Sequence, residues 1–364
     1  MNMIFRNGTS KELLDFVLNC KDINETEPIS NENMLHKAIA NNRVDIIDTL
    51  INGGIDINHK NILLESPLIM ACREEKIDIA IKLIEAGANV NNTDSFNETA
   101  LHIAARKNLQ DVIKLLIEKG INLDVQNSLG ETALHIATRL GHTDIVKMLV
   151  INGANKDMYD KKMMTPLYIA VSNDDIYSTT FLIERGANIN VASKHQETLL
   201  HKAIRKGFYD ITQILIDNNI DITAVNDKGY DPLCLASKLG RENEVELLLT
   251  AKELNKGYNS KEDKTALFYA TQKSYDGIVN MFLFKRYKDL LNIIVNKNCK
   301  NDKQKENLDY ITKKSMFLEY LSKDGMEKVI NKKTKALIDN KKKQEIVDIL
   351  VERNNIKNFN NMSL

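Results

Sequence analysis

The side chains with most chemical potential in this chain are seven histidines and four cysteines. His36, His102, His135 and His201 fall on one common spacing, taken once or twice. A regular series of imidazoles could ligate zinc or carry protons. Zinc needs its nitrogens at about 2 Å, whereas helices in contact lie about 8–10 Å apart. Histidines on successive copies of a repeat therefore cannot share an ion, and a hydrogen bond within the Thr-x-Leu-His turn is their expected role. His142 falls at a helix start, and His59 and His195 are isolated. Cys20, Cys72, Cys234 and Cys299 are far apart and form no C-x-x-C pair. They read as reduced thiols in a cytosol-like compartment. Asp174-Asp175 reads as helix capping and Gly229-Tyr230-Asp231 as turn chemistry. Gly-x-Ser-x-Gly, Walker and His-Glu-x-x-His motifs are all missing. No catalytic, cofactor-binding or metal site is expected.

Those residues ride on a period. Leu35, Leu68, Leu101, Leu134, Leu167, Leu200, Leu233 and Leu267 recur at one interval of about 33 residues, the last step being longer by one. A period held over two-thirds of a chain means one small unit stacked on copies of itself. The best copies read Thr99-Ala100-Leu101-His102-Ile103-Ala104 and Thr132-Ala133-Leu134-His135-Ile136-Ala137, with Thr165-Pro166-Leu167-Tyr168-Ile169-Ala170 close to them. A second apolar group follows at helical spacing, as in Val112, Ile113, Leu116 and Ile117. Then comes a glycine: Gly54, Gly87, Gly120, Gly153 or Gly186.

These residue types predict a helix pair. Thr or Ser ahead of the first helix accepts from a free backbone N–H. Pro67, Pro166 and Pro232 sit just inside it, where no N–H is needed. The second helix carries a wide apolar stripe, and the glycine takes its left-handed cap. Asn/Asp-rich stretches such as Asn91-Asn92-Thr93-Asp94 suit a turn. A unit of roughly 30 residues buries too little apolar surface to offset its own ordering, so neighbours must stabilise it.

Over roughly residues 3–285 the pattern resembles the ankyrin repeat, Thr-Pro-Leu-His-x-Ala with a 33-residue period. The resemblance implies an all-α solenoid of stacked helix–turn–helix units with hairpin-like loops, plus a C-terminal helical segment. Residues 1–30 are expected to form an N-terminal capping half-repeat. Its helix over residues 10–19 would be capped by Ser10, with its first helix missing or degenerate. Eight repeats follow over 31–285. Residues 286–354 form either degenerate repeats closing the stack or a separate helical domain with its own activity, and 355–364 a disordered tail. In the fifth copy, Ser178 and Thr179 replace an Ile/Val pair, predicting a looser stack or a kink near Tyr177 to Phe181.

Formal net charge is zero, from 50 basic and 50 acidic residues. No global field draws the chain to nucleic acid or a membrane. Residues 285–364 nevertheless carry 19 Lys/Arg against 11 Asp/Glu. No apolar run approaches the roughly 20 residues a helix needs to span a bilayer, and no secretory leader opens the chain. A cytoplasmic monomer is expected, in the producing cell or in a host cell.

The resemblance implies a non-catalytic interaction module, an adaptor, scaffold or host-directed effector. Partners of this family are gripped on the concave face by hairpin tips and by outward ends of first helices. Mapped copy by copy, the candidate tips are Leu63, Phe96, Leu129, Lys161, Lys162, Lys194, His195 and Tyr230, with Ile62, Asp227 and Lys228 beside them. Candidate helix positions are Arg106, Lys107, Arg139, Leu140, Arg205, Lys206 and Lys238. Two ladders run through them: basic Arg73, Arg106, Arg139, Arg205 and Lys238, and acidic Glu65, Glu98, Glu131 and Glu197 eight residues earlier. The fifth copy lacks both, with Met164 and Ser172 in their place. Joint presence and absence favours internal ion pairs over a basic stripe awaiting an acidic partner. Exposed pairs of that kind contribute about 0–1 kcal/mol. Binding would then rest on Phe96, Leu129 and Tyr230, because aromatic and apolar anchors dominate hot spots.

Overall fold

The computed structural model describes residues 2–254 and 260–282; the readings made for 286–354 and 355–364 lie outside them. The chain divides into two units, Met1–His195 and Gln196–Leu364.

The first unit is a series of short helix pairs. It comprises α1 (Asn2–Asn7), α2 (Ser10–Leu18), α3 (Met34–Ala40) and a 3-10 turn (Val44–Ile46) running into α4 (Ile47–Asn52). The pairs α5/α6 (Pro67–Arg73, Ile77–Glu85), α7/α8 (Ala100–Lys107, Gln110–Glu118), α9/α10 (Ala133–Arg139, Thr143–Ile151) and α11/α12 (Pro166–Ser172, Ile176–Glu184) follow. First helices pack on first helices, α3 to α5 to α7 to α9 to α11, and second helices on second helices, α4 to α6 to α8 to α10 to α12. The second unit repeats the pattern with α13/α14 (Leu199–Lys206, Tyr209–Asp217), α15/α16 (Pro232–Leu239, Glu242–Leu254) and α17 (Ser260–Gln272). Among the described residues there is no strand, only an isolated antiparallel bridge between Thr93 and Thr99.

Helices of seven to nine residues do not persist alone in water. Their residues show what holds them. In α9, every residue from Ala133 to Thr138 is buried. A first helix has a like helix on each side and its own second helix behind, so only its C-terminal end reaches solvent. Small Ala100, Ala104, Ala105, Ala133 and Ala137 permit that closeness. Second helices bury one stripe: Val112, Ile113 and Leu116 in α8, and Ile145, Val146 and Leu149 in α10.

Local signals act as their chemistry requires. Thr132, Thr165, Thr198 and Asp231 accept from the N–H three residues on. Pro67, Pro166 and Pro232 open α5, α11 and α15. Gly120 ends the third repeat's second helix at φ +76°, with open space around it, so its conformation alone calls for glycine.

Two features differ from expectation, the cap of α2 and the start of α17, and two add to it. The cap of α2 is Thr9 and not Ser10, because Thr9 forms a reciprocal box with Glu12: the Thr9 N–H donates to Glu12 Oε2 at 2.7 Å, and the Glu12 N–H to Thr9 Oγ1 at 3.3 Å. Ahead of it, the first-helix slot is filled by α1, which buries Phe5 completely. Helix α17 starts at Ser260, ahead of the Thr265-Ala266-Leu267 motif, so position 265 lies inside the helix and not at its start. In the fifth copy, α12 keeps the nine-residue length of its neighbours despite Ser178 and Thr179. Both are fully buried with unpartnered hydroxyls, so the cost appears as polarity and not as a shortened helix.

Candidate partner-binding surface

Each hairpin tip is built around one short polar side chain. Asn61, Asp94, Asn127, Asp160 and Asn226 recur at the repeat interval, doubled where Ser193 intervenes. In each, Oδ1 accepts from the N–H groups two and four residues later, for Asn61 those of Leu63 (2.9 Å) and Glu65 (3.0 Å). Asp94 does the same with Phe96 and Glu98, and Asn127 with Leu129 and Glu131. Asp160 holds Lys162 and Met164, and Asn226 holds Lys228 and Tyr230. This column organises the tips, and sequence reasoning passed over it although its period was in plain view.

Successive tips are tied by main chain. The Ser95 N–H donates to Leu63 O (3.1 Å), Ser128 to Phe96 O (2.8 Å) and Lys161 to Leu129 O (3.0 Å). At Gly130 the next backbone comes so close that a Cβ would lie 2.9 Å from Lys161 N. The residue two after the tip acceptor therefore projects outward. Phe96 is 60% exposed, Leu129 61%, Leu63 54% and Ile62 67%. Lys161, Lys162, Lys194 and His195 are exposed as well.

One further column matters. Leu64, Asn97, Gly130, Met163, Gln196 and Gly229 all have positive φ, at the same position of each tip. Asn and Gly take that conformation readily, but Leu64 (φ +60°) and Met163 (φ +60°) do not. Both are also about half exposed. Backbone strain and water-facing apolar surface coincide there.

The two charged ladders are joined. Arg73 Nε lies 2.6 Å from Glu65 Oε1. Arg106 Nη1 donates to Glu98 Oε2 at 2.9 Å and its Nη2 to Oε1. Arg139 lies 2.5 Å from Glu131, and Arg205 Nε donates to Glu197 at 2.5 Å. Tip aspartates add to this: Arg73 also reaches Asp94 at 2.7 Å and Arg139 reaches Asp160 at 3.5 Å. Three of the pairs are part-buried, because Glu65, Glu98 and Glu131 are buried, whereas Arg205–Glu197 is exposed. Burial alone would raise the Glu98 pKa, but the Arg106 hydrogen bonds and charge, with the Asn127 amide, hold it below the usual range. Arg106 and Arg205 thus spend their charge inside their own repeats, and Arg139 on its own repeat and the next tip. In the seventh copy Tyr230 occupies the glutamate column and Lys238 the arginine column. Lys238 Nζ donates to Tyr230 Oη at 2.6 Å and lies 4.2 Å from its ring centroid, a cation–π contact in place of an ion pair. Tyr230 also packs edge-on against Tyr269. It is half-buried and engaged, a weaker anchor than Phe96 or Leu129.

Of the remaining candidates, Lys107, Leu140 and Lys206 are exposed at or just beyond first-helix ends. Lys107 pairs with Glu75 of the preceding copy at 2.7 Å.

The four motif histidines bridge repeats. Thr99 N–H donates to His102 Nδ1 (3.1 Å), so the proton is on Nε2, which donates to Glu131 O of the next copy (3.0 Å). His135 repeats this with Thr132 and with Met164 O, and His201 spans Thr198 Oγ1 and Tyr230 O. In His36 both nitrogens face acceptors, Asn33 Oδ1 and Glu65 O. Burial lowers the pKa of all four. His142 ties Ala105 O across one repeat boundary. Cys72 is buried, and that pushes its thiol up to about 12, leaving it inert. Among the described residues no group of three or more His, Cys, Asp or Glu could hold a metal ion, and no helix is long and apolar enough to cross a membrane.

A family model for ankyrin repeats matches three times, over residues 1–94, 68–160 and 149–226. The chain belongs to the ankyrin repeat family. Solved structures agree. The ankyrin repeat domain of Bcl-3, a member of the IkappaB protein family, is 25% identical with a TM-score of 0.54, covering 60% of this chain and 99% of its own. An ankyrin repeat domain from Acinetobacter baumannii AYE is 27% identical with a TM-score of 0.50, covering 51% and 98%. No curated protein matches the sequence. Ankyrin repeats are in general non-catalytic protein–protein interaction modules.

Proposed function

We propose that this protein is an interaction module that holds a protein partner on the hairpin tips of Met1–His195, serving as an adaptor or effector without chemistry of its own. The observation that carries this is the coincidence at the tips of exposed apolar side chains with backbone strain. Leu64 and Met163 adopt a conformation that costs an L-residue about 1–2 kcal/mol, and they do so facing water. Strain held at an exposed position is typical of functional sites. Phe96 and Leu129 are the anchors, with Leu63 beside them and Lys107 and Leu140 as rim contacts. The paired Arg106 and Arg139 contribute shape more than charge. A preformed tip lattice, fixed by side-chain and main-chain hydrogen bonds, reduces the ordering cost of association. An intracellular location agrees with the buried, unbridged Cys72 thiol.

Affinity capture with the full chain, followed by titration of the recovered partner, tests the reading. Phe96→Ala with Leu129→Ala is expected to weaken binding at least a hundredfold, the scale of two hot-spot truncations. Unchanged affinity would remove the tips from the interface.

A further inference from the structure

The tips change character along the first unit. From the second copy to the fourth, the outward positions carry Ile62, Leu63 and Leu64, then Ser95 and Phe96, then Ser128 and Leu129. In the fifth and sixth they carry Lys161, Lys162, Lys194 and His195. None of these outward positions is acidic. The tip carboxylates of the third and fifth copies, Asp94 and Asp160, are buried and turned toward Arg73 and Arg139. The lysine charge at the fifth and sixth tips is therefore left facing solvent, whereas the arginine charge on the helices is neutralised.

We infer that the tip row takes an extended protein segment in which an apolar block is followed or preceded by an acidic block, the apolar residues over Leu63–Phe96–Leu129 and the carboxylates over Lys161–Lys162–Lys194. This rests on the tips being the partner surface, and it specifies what that partner presents. Segregation sets the register, since reversing the segment would place carboxylates on leucine and phenylalanine. Neighbouring repeats lie about 8–10 Å apart, so the apolar stretch from Leu63 to Leu129 spans roughly 20 Å. An extended chain covers that with about six residues at about 3.3 Å each, and a similar number reach across the lysines. The chemistry of lysine beside apolar side chains also suits an anionic membrane. There, however, cations ring the inserted apolar groups, whereas here they all lie at one end of the row.

The test is selection of a random 16-residue peptide display library on the full chain and on the Lys161→Glu/Lys162→Glu/Lys194→Glu variant. Peptides enriched on the natural chain are expected to carry separate apolar and acidic blocks. A synthetic representative should lose at least tenfold in affinity for the charge-reversed variant, and as much when its residues are scrambled. Phe96→Ala should weaken it while leaving its salt dependence intact. Enrichment indifferent to charge reversal, or no enrichment at all, overturns the inference. So does lysine-dependent binding of phosphatidylserine vesicles in place of peptide. If a captured natural partner still depends on Phe96 but not on the lysines, the tip reading stands and the acidic block falls.

Discussion

At the residue scale, the histidines make stability depend on pH in a defined direction. In His102 and His135 the Nδ1 accepts from a backbone N–H, so protonation would set a donor against a donor. Burial depresses the folded pKa of these and of His201 below the unfolded value near 6.5. The unfolded chain then binds more protons, and stability is complete above about pH 6.5 and lost as pH falls below it. His36 is depressed in the same direction by its burial. Glu98, also depressed, extends the loss below its unfolded value of 4.5. Urea unfolding should show a falling midpoint from pH 7.5 to 5.5, and a flat profile would show these imidazoles to be indifferent. Arg106→Ala strands a buried carboxylate and should cost about 1–3 kcal/mol, part of which a second change, Glu98→Gln, returns; equal losses for single and double variants would deny the pairing. Ser178 and Thr179 bury hydroxyls without partners. Thr179→Val, nearly isosteric, should raise stability by about 1 kcal/mol, read as a higher denaturation midpoint; a decrease would mean the hydroxyl has a bonded role.

At the element scale, the left-handed tip position separates folding from binding. Copies with Gly130 or Gly229 meet it without strain, and those with Leu64 or Met163 do not. Leu64→Gly and Met163→Gly should each stabilise by about 1 kcal/mol while weakening partner capture. If stability drops, the apolar side chains contribute to the fold instead. Much at this scale was legible in the sequence. Leu134 and Ala137 marked the first helix, Ile145 and Val146 the second, and Gly153 its end, because each answers a local steric or hydrogen-bonding demand. The tip column of Asn61, Asp94 and Asn127 was equally periodic but passed unnoticed, since Asn and Asp in a loop look like generic turn residues until their hydrogen bonds are seen. The burial of Glu98 was not legible. A glutamate near a helix start looks exposed, and only the neighbouring repeat covers it. Nor could the Thr9–Glu12 box be distinguished from a cap at Ser10, as adjacent hydroxyls carry the same local signal. The Tyr230–Lys238 contact was hidden because tyrosine in an acidic column reads as an exception until the ring is seen under the ammonium.

At the molecular scale, each unit is held by contacts between like helices of adjacent repeats and by side chains that reach into the next copy, His102 to Glu131 O and Arg73 to Asp94. Such a chain has its internal polar groups directed at itself and leaves the tips for others. The most direct measurement is site-specific photo-crosslinking in cells, with the reactive group placed in turn at Phe96, Leu129, Ile151 and Tyr177. The last two are as exposed as the tips, 61% and 79%, but belong to second helices. A binding surface on the tips predicts one common protein cross-linked at 96 and 129 and not at 151 or 177. Cross-linking confined to 151 and 177 would contradict it.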